Sequence, residues 1–266
     1  MSKKIALCFI ISYPQIINHE SLWRKWMAQS SHNLFNVYIH CKDKTLIQSE
    51  WVKTHCLPDA FIVPTSYYHV VPAYMNLLLY ARHHDPENKW FCFLSESCVP
   101  MVSPLDFQTK FEAFSEYSFL KWSRAWWSVA FHRRANLHRL PSEYHLGHDP
   151  WFILSQSHVD SCLSFMKKER NLYRLMCKGI IANESIFIIM LLMEKNMVNV
   201  INSSSTYCDW TRRSSATSPY VFKKRNEKSD ILFLKEMKQK KELEYCLFLR
   251  KVEKGFDSKL LFELCS

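Results

Sequence analysis

Apolar and polar positions along this chain switch between two periods, and the switches mark out the elements. KIALCFIIS (4–12) is an unbroken apolar run of strand length, whereas HESLWRKWMAQSS (19–31) sets Leu22, Trp23, Trp26 and Met27 at helical spacing. NVYIHC (36–41) reads as a second strand and DAFIVP (59–64) as a third, closed by Pro64. VPAYMNLLLYARHH (71–84) predicts a helix opening around Pro72, followed by the strand KWFCFLSES (89–97). SPLDFQTKFEAF (103–114) opens with Ser103 as N-cap, Pro104 at the first helical position and Asp106 closing a capping box. YSFLKWS (117–123) and DPWFILS (149–155) read as further strands, and SHVDSCLSFMKKE (157–169) repeats the Ser-x-x-Asp helix start. NESIFIIMLLMEKN (183–196) predicts an apolar helix with Asn183 as N-cap, ahead of the strand MVNVIN (197–202).

Strand, helix and strand in alternation predict a mostly parallel α/β sheet with helices on both faces. At 266 residues, all of it fits one domain spanning 1–266. In such sheets ligands bind beyond the carboxyl ends of the strands, so the residues that follow each strand deserve most weight.

Composition narrows the chemistry. Only three glycines occur, Gly147, Gly179 and Gly255, which excludes a G-x-G-x-x-G fingerprint and a Walker loop. A bound phosphate must therefore be held by side chains or helix ends, and the formal charge of +10 supplies cations. No nucleic-acid-binding signature accompanies that charge, so no nucleic-acid partner is expected, and KEMKQKKELE (235–244) reads as the solvated face of a surface helix. The ten cysteines form no C-x-x-C; Cys8, Cys92 and Cys162 sit in apolar runs as small buried hydrophobes. The apolar start is too short for a membrane span and lacks a cleavage site, so the expectation is a cytoplasmic or peripheral membrane protein with reduced thiols.

Four stretches carry candidate chemistry. FLSESCVP (93–100) ends an apolar run in Ser95, Glu96, Ser97 and Cys98; without a nearby histidine or a G-x-S-x-G turn, these read as hydrogen-bonding groups at a strand end rather than as a nucleophile. His145, His148 and Asp149 lie between two prolines with Gly147 among them, where no regular helix aligns the rings on a metal. Glu184 heads a helical pattern whose dipole would favour an ionised carboxylate, either a general base or a first-turn glutamate that merely complements the dipole. Lys251 follows the apolar run CLFL, which delivers its ammonium to the end of an element, or else it is one more surface lysine.

In order along the chain, KIALCFIIS, LWRKWM, NVYIHCKDK, NKWFCFLSESCVP, WFILSQSHV, NESIF, CDWTR and CLFLRK resemble the core-2/I-branching glycosyltransferase family, from about Lys4 to about Lys254. The resemblance implies a GT-A-like fold and transfer of a sugar, most simply N-acetylglucosamine, from a UDP-sugar to a glycan hydroxyl with inversion. No divalent metal or other cofactor is implied: basic side chains stand where a cation would sit, in keeping with the absence of any Asp-x-Asp here.

Residue by residue, the resemblance makes Glu184 the catalytic base and Lys251 a donor-phosphate contact. Arg212 and Arg213 in CDWTRR are further phosphate contacts, although RSSATSP replaces the glycines that usually follow. Asp43, in HCKDK, and Ser95, Glu96 and Ser97 are nucleotide or sugar contacts. Asn183 stands where the family usually has aspartate and joins Trp126 and Trp151 on the acceptor side, where aromatic faces pack on pyranose rings. The departures at Asn183 and after Arg213 also motivate an alternative, a catalytically inactive carbohydrate- or nucleotide-binding protein of the same fold. Partners on either reading are a nucleotide sugar and a glycan, with peripheral membrane association through the basic surface.

Overall fold

The computed structural model describes residues 3–12, 14–213 and 215–265. The chain opens with β1 (Lys4–Ile10), α1 (Glu20–Ala28), β2 (Phe35–His40), α2 (Glu50–His55), α3 (Val71–His84) and β3 (Asn88–Ser95). Next come β4 (Val99–Pro100), α4 (Pro104–Phe114), β5 (Ser118–Phe119), β6 (Trp122–Arg124), α5 (Val129–His132), β7 (Leu146–His148) and β8 (Ile153–Ser155). It closes with α6 (Gln156–Lys168), α7 (Arg170–Cys177), α8 (Ile186–Met193), β9 (Val200–Ile201), β10 (Thr206–Cys208), α9 (Glu227–Lys238), β11 (Phe248–Arg250) and α10 (Ser258–Leu264).

Six strands form the central sheet in the order β2-β1-β3-β8-β5-β9. β1 runs parallel to β2 and β3, β5 runs parallel to β9, and β8 is antiparallel to both its neighbours. This is the helix-flanked, mostly parallel α/β sheet expected, and it is consistent with a GT-A-like fold. A small sheet, β10-β11-β4, and a two-stranded ribbon, β6-β7, complete it.

The apolar strands have no polar face because both faces are covered. Along β3, Phe91 and Phe93 point to a cluster with Tyr74 and Leu78 of α3, Phe165 of α6 and Phe187 of α8. The alternate residues Trp90, Cys92 and Leu94 point to Trp23 and Trp26 of α1 and Phe107 and Phe111 of α4. The indole N–H groups in this second layer are not stranded. Trp23 donates to Cys98 O at 3.1 Å and Trp26 to Val102 O at 2.9 Å, so each ring also ties α1 to the chain leaving β3. Cys8, Cys92 and Cys162 are fully buried among these clusters, as their apolar neighbours imply. At the start of α4, Ser103 Oγ accepts from Asp106 N at 3.1 Å, the expected cap.

Several elements differ from their sequence patterns. DAFIVP is not a strand: Asp59–Phe61 form a 3-10 turn after Pro58, with Asp59 and Ala60 exposed, and Val63 N donates to His40 Nε2. The edge strand β2 is instead met by Leu57, whose N–H donates to Ile39 O. YSFLKWS divides, its first half staying in the main sheet while β6 leaves to pair with β7. In the Ser-x-x-Asp stretch, α6 starts at Gln156, and Ser155 turns its hydroxyl to His158 instead of capping. KEMKQKKELE is α-helical only as far as Lys238, and Lys241–Leu243 form a separate 3-10 turn.

Gly179 is a packing requirement that links fold to site. A Cβ there would lie 2.3 Å from Asn136 N and 2.5 Å from Ala135 C, which are backbone atoms that cannot rotate away. Gly179→Ala should therefore cost at least about 1–3 kcal/mol, the usual range for overpacking. Gly255→Ala meets nothing within 4 Å and serves as control. Urea unfolding of both variants tests this, and equal midpoints would show that the 135–136 segment yields.

Candidate active site

The carboxyl end of β3 is closed by a tight turn. Cys98 N donates to Ser95 O at 3.1 Å, Ser95 N donates to Cys98 Sγ at 3.3 Å, and the hydroxyls of Ser95 and Ser97 lie 3.1 Å apart. Cys98 is fully buried and its thiol is pushed up, first by burial. It packs, as the strand-end reading of this stretch expects. Glu96 extends the other way, where its Oε1 accepts from Ser12 Oγ at 2.8 Å at the carboxyl end of β1.

β11 arrives beside this turn from the far end of the chain. Val252 N donates to Ser97 O at 3.0 Å, and Arg250 Nε donates to Ser95 Oγ at 3.2 Å. The Arg250 guanidinium also lies 4.9 Å from the centre of the Trp151 ring. Lys251 follows immediately. Half-burial and the neighbouring Arg250 charge hold its ammonium below the ordinary lysine range, while Glu96 acts in the opposite direction. Neither Arg250 nor Lys251 has a carboxylate within ion-pair distance among the described residues. Two adjacent cations with no ion-pair partner among the described residues stand at the strand ends.

Glu184 lies on the other side of the same strand ends, in a 3-10 turn (Ala182–Glu184) rather than in a helix. α8 starts two residues later with Ser185 at its boundary, so Asn183 is not its N-cap. The expected dipole support for Glu184 is therefore replaced by a direct partner. Arg134 Nη1 donates to Glu184 Oε2 at 2.7 Å, and that guanidinium lies 4.6 Å from the Trp127 ring centre. Burial raises the Glu184 carboxyl above its ordinary range; Arg134 opposes that rise, Asp149 adds to it and Arg250 opposes it. Glu184 Oε1 carries no hydrogen bond among the described residues, so one oxygen is held and the other is open.

Asp149 is itself raised by burial, with Ser204 Oγ donating to its Oδ2 at 2.6 Å. Tyr74 O–H donates to Pro150 O at 2.9 Å; burial pushes its phenol well above the ordinary range, with nearby Arg250 and Asn183 opposing the rise and Glu184 adding to it. Glu184, Asn183, Asp149, Trp151, Arg250 and the Ser95–Ser97 turn thus share one locale at the sheet's carboxyl edge.

Other expected contacts fall elsewhere. Arg212 is bound up internally: it donates to Asp209 at 2.6 Å and Asp230 at 3.0 Å, and lies about 4 Å from the centres of the Tyr220 and Phe233 rings. Two carboxylates balance its charge, and its buried Nη2 has no hydrogen-bond partner among the described residues. Arg213 beside it is exposed. Asp43 caps a 3-10 turn (Lys44–Leu46), accepting from Thr45 N at 2.9 Å. Trp126 packs edge-to-face on Trp127 and is 58 % exposed. His145 and His148 each bond to a backbone carbonyl, Leu140 O and Asp149 O, and His148 is fully buried. Among the described residues no three His, Cys, Asp or Glu side chains gather in a metal-binding group.

The sequence pattern does not single out Arg134 or Arg250, and it raises Asp149 only as a metal-ligand candidate beside His145 and His148. Arg250 sits directly before Lys251 in LFLRK, so two consecutive cations at the end of an apolar run were a readable signal. Arg134 lacked one, because its partner is 50 residues away.

Removing the Arg134 charge should move the Glu184 titration upward, since the guanidinium favours the ionised form and burial then acts unopposed by its nearest cation. Carboxyl NMR on Glu-labelled protein, with Glu184→Gln to assign the signal, compares wild type with Arg134→Gln. An unchanged titration midpoint would mean that the ion pair does not govern the carboxylate.

The family model described as Core-2/I-Branching enzyme matches residues 6–238. No curated protein matches the chain. The matched span contains the Ser95–Cys98 turn, Arg134, Asp149 and Glu184, and ends ahead of Arg250 and Lys251. The chain belongs to the Core-2/I-Branching enzyme family and is accordingly a glycosyltransferase, of a family working on nucleotide-sugar donors and glycan acceptors.

Proposed function

We propose that this enzyme transfers N-acetylglucosamine from UDP-N-acetylglucosamine to a glycan hydroxyl, with inversion and without a divalent metal. The observation that carries this reading is the pairing of chemistries at one strand edge. A partly buried carboxylate with one oxygen free of hydrogen bonds lies within electrostatic reach of Arg250, which Lys251 follows directly, and neither cation has an ion-pair partner among the described residues.

Glu184 Oε1 takes the proton of the acceptor hydroxyl as that oxygen bonds to the anomeric carbon. The bond from that carbon to the diphosphate oxygen breaks, and the electron pair leaves with UDP. Attack and departure occur on opposite faces of the sugar, which inverts the configuration. Arg250 and Lys251 stabilise the charge growing on the diphosphate, in the place a metal would otherwise take. Arg250 replaces Arg212 as the second phosphate cation, because Arg212 is already neutralised. Arg213, exposed on the same loop, is a weaker candidate for that role. Ser95, Ser97 and Glu96 offer hydroxyls and a carboxylate to the donor sugar, and Asp43 stands at the neighbouring strand end for the nucleoside. Trp151, Asn183 and Trp126 are the acceptor-side contacts. Peripheral membrane association through basic residues completes this reading.

Glu184→Gln should lower transfer by about 10²–10⁴-fold, the usual worth of a positioned base, while UDP binding persists. Transfer at the wild-type rate would remove Glu184 from that role. In calorimetry, Lys251→Ala and Arg250→Gln should each weaken UDP affinity about tenfold, as for loss of one charge-assisted contact. Turnover should be the same with and without EDTA; a loss that Mn²⁺ restores would make the enzyme metal-dependent. Tight UDP-sugar binding by the wild type with no turnover on any acceptor panel, and no donor hydrolysis, would favour the inactive binding protein.

A further inference from the structure

Four large aromatic side chains stand open to solvent on the loops and the short helix α5 around Glu184: Tyr67 (73 %), Tyr68 (50 %), Trp126 (58 %) and Phe131 (81 %). The backbone brings these loops together. Ile181 N donates to Tyr68 O at 2.9 Å, Ala135 N donates to Ile180 O at 3.0 Å, and Arg134 follows Phe131 by three residues. Exposed apolar groups clustered in this way mark an interaction surface more often than isolated ones do.

The charge beside them is one-sided. Between Glu116 and Glu143 the chain carries Lys121, Arg124, Arg133, Arg134 and Arg139 and no Asp or Glu. Of these, only Arg134 has a carboxylate partner among the described residues. α7 adds to the same side, because Asn136 Nδ2 donates to Leu175 O at 2.8 Å and so holds the end of that helix against the segment. Arg170, Arg174 and Lys178 repeat at four-residue spacing along one exposed face of α7 and beyond its end. Besides Glu184 and Asp149 at the site itself, the exposed carboxylates flanking these stretches are Glu143 and Glu169, too few to balance these cations.

We infer that this aromatic and cationic rim docks on an anionic lipid surface, with the mouth of the Glu184 site turned toward the headgroups. The cations are spread along a stretch of chain and two turns of helix. They do not converge on a point, as they would for a single phosphate or carboxylate, and an extended array matches an extended anionic surface. Aromatic rings beside Lys and Arg suit the headgroup region, where the ring is half buried and the charge stays wet. Contact is with the surface: none of the described helices is long and apolar enough to cross a membrane. The docking itself is independent of the transferase reading, and only its consequence rests on it. If Glu184 is the base, the acceptor hydroxyl belongs to a glycan carried on the lipid.

Co-sedimentation of the full chain with vesicles tests the inference. Vesicles of phosphatidylcholine with about one-third phosphatidylglycerol should bind the protein, phosphatidylcholine alone should not, and added salt should release it. The double variants Phe131→Ser/Arg133→Glu and Arg174→Glu/Lys178→Glu should each weaken binding at least about tenfold, each cation near such a surface contributing about fivefold. Circular dichroism and UDP-sugar hydrolysis without vesicles should stay at wild-type levels in both. Absence of phosphatidylglycerol-dependent binding, or undiminished binding by both double variants, overturns the inference. So does retention on heparin without binding to vesicles, which would assign the rim to a soluble polyanionic glycan. A wild-type chain that binds these vesicles but hydrolyses no UDP-sugar would support docking while counting against the transferase reading.

Discussion

The site depends on one meeting of chain ends: β11, near the carboxyl terminus, crosses the turn that closes β3. Val252 N bonds to Ser97 O and Arg250 Nε to Ser95 Oγ, while from the other layer Trp23 donates to Cys98 O. β4, leaving the same turn, pairs antiparallel with β11 through Val99 and Pro100. The turn is thus held on both flanks by elements more than 70 residues away in either direction. Rigid placement matters, because two cations can substitute for a metal only if they are already in position when charge develops on the leaving group. A mobile Lys251 would gain the same Coulomb energy but would first have to be ordered.

The central sheet was legible because its signals are local and redundant. β1 and β3 are unbroken apolar runs, α3 and α4 both carry a proline in the first turn, and α4 adds the Ser103 cap, so length, period and end chemistry agree. Where tertiary pairing decides, the pattern misleads. DAFIVP has strand composition, but β2 receives a backbone hydrogen bond from Leu57 ahead of it, and the proline at 58 sets a 3-10 turn instead. Asn183 has the right residue type for a cap, yet the helix begins beyond it at Ile186.

The same distinction runs through the site. Glu184, Lys251 and the Ser95–Ser97 turn could be singled out because each ends or interrupts a strong apolar pattern. Local pattern alone does not distinguish Arg134 from Arg212, both being arginines in irregular segments, and only the family resemblance draws attention to Arg212. Structure separates them by their partners. Arg212 meets two carboxylates and three aromatic rings and is a bracing element of the C-terminal layer. Arg134 meets one carboxylate that is otherwise half free.

That last geometry resolves a tension in the chemistry asked of Glu184. A base must be ionised before reaction yet basic enough to accept a proton, and these demands pull its titration in opposite directions. Burial and Asp149 raise the carboxyl; Arg134 and Arg250 restrain the rise. Burial alone would leave the group protonated too readily, whereas a second close arginine would stabilise the carboxylate so far that it lost its appetite for a proton. Holding a single oxygen on a single guanidinium, with that guanidinium over the Trp127 ring, favours the charged form, orients it and leaves Oε1 without a hydrogen bond among the described residues. On the proposed mechanism Arg250 and Lys251 would receive the negative charge that leaves with the diphosphate, so that electrons move from the carboxylate side toward the cations.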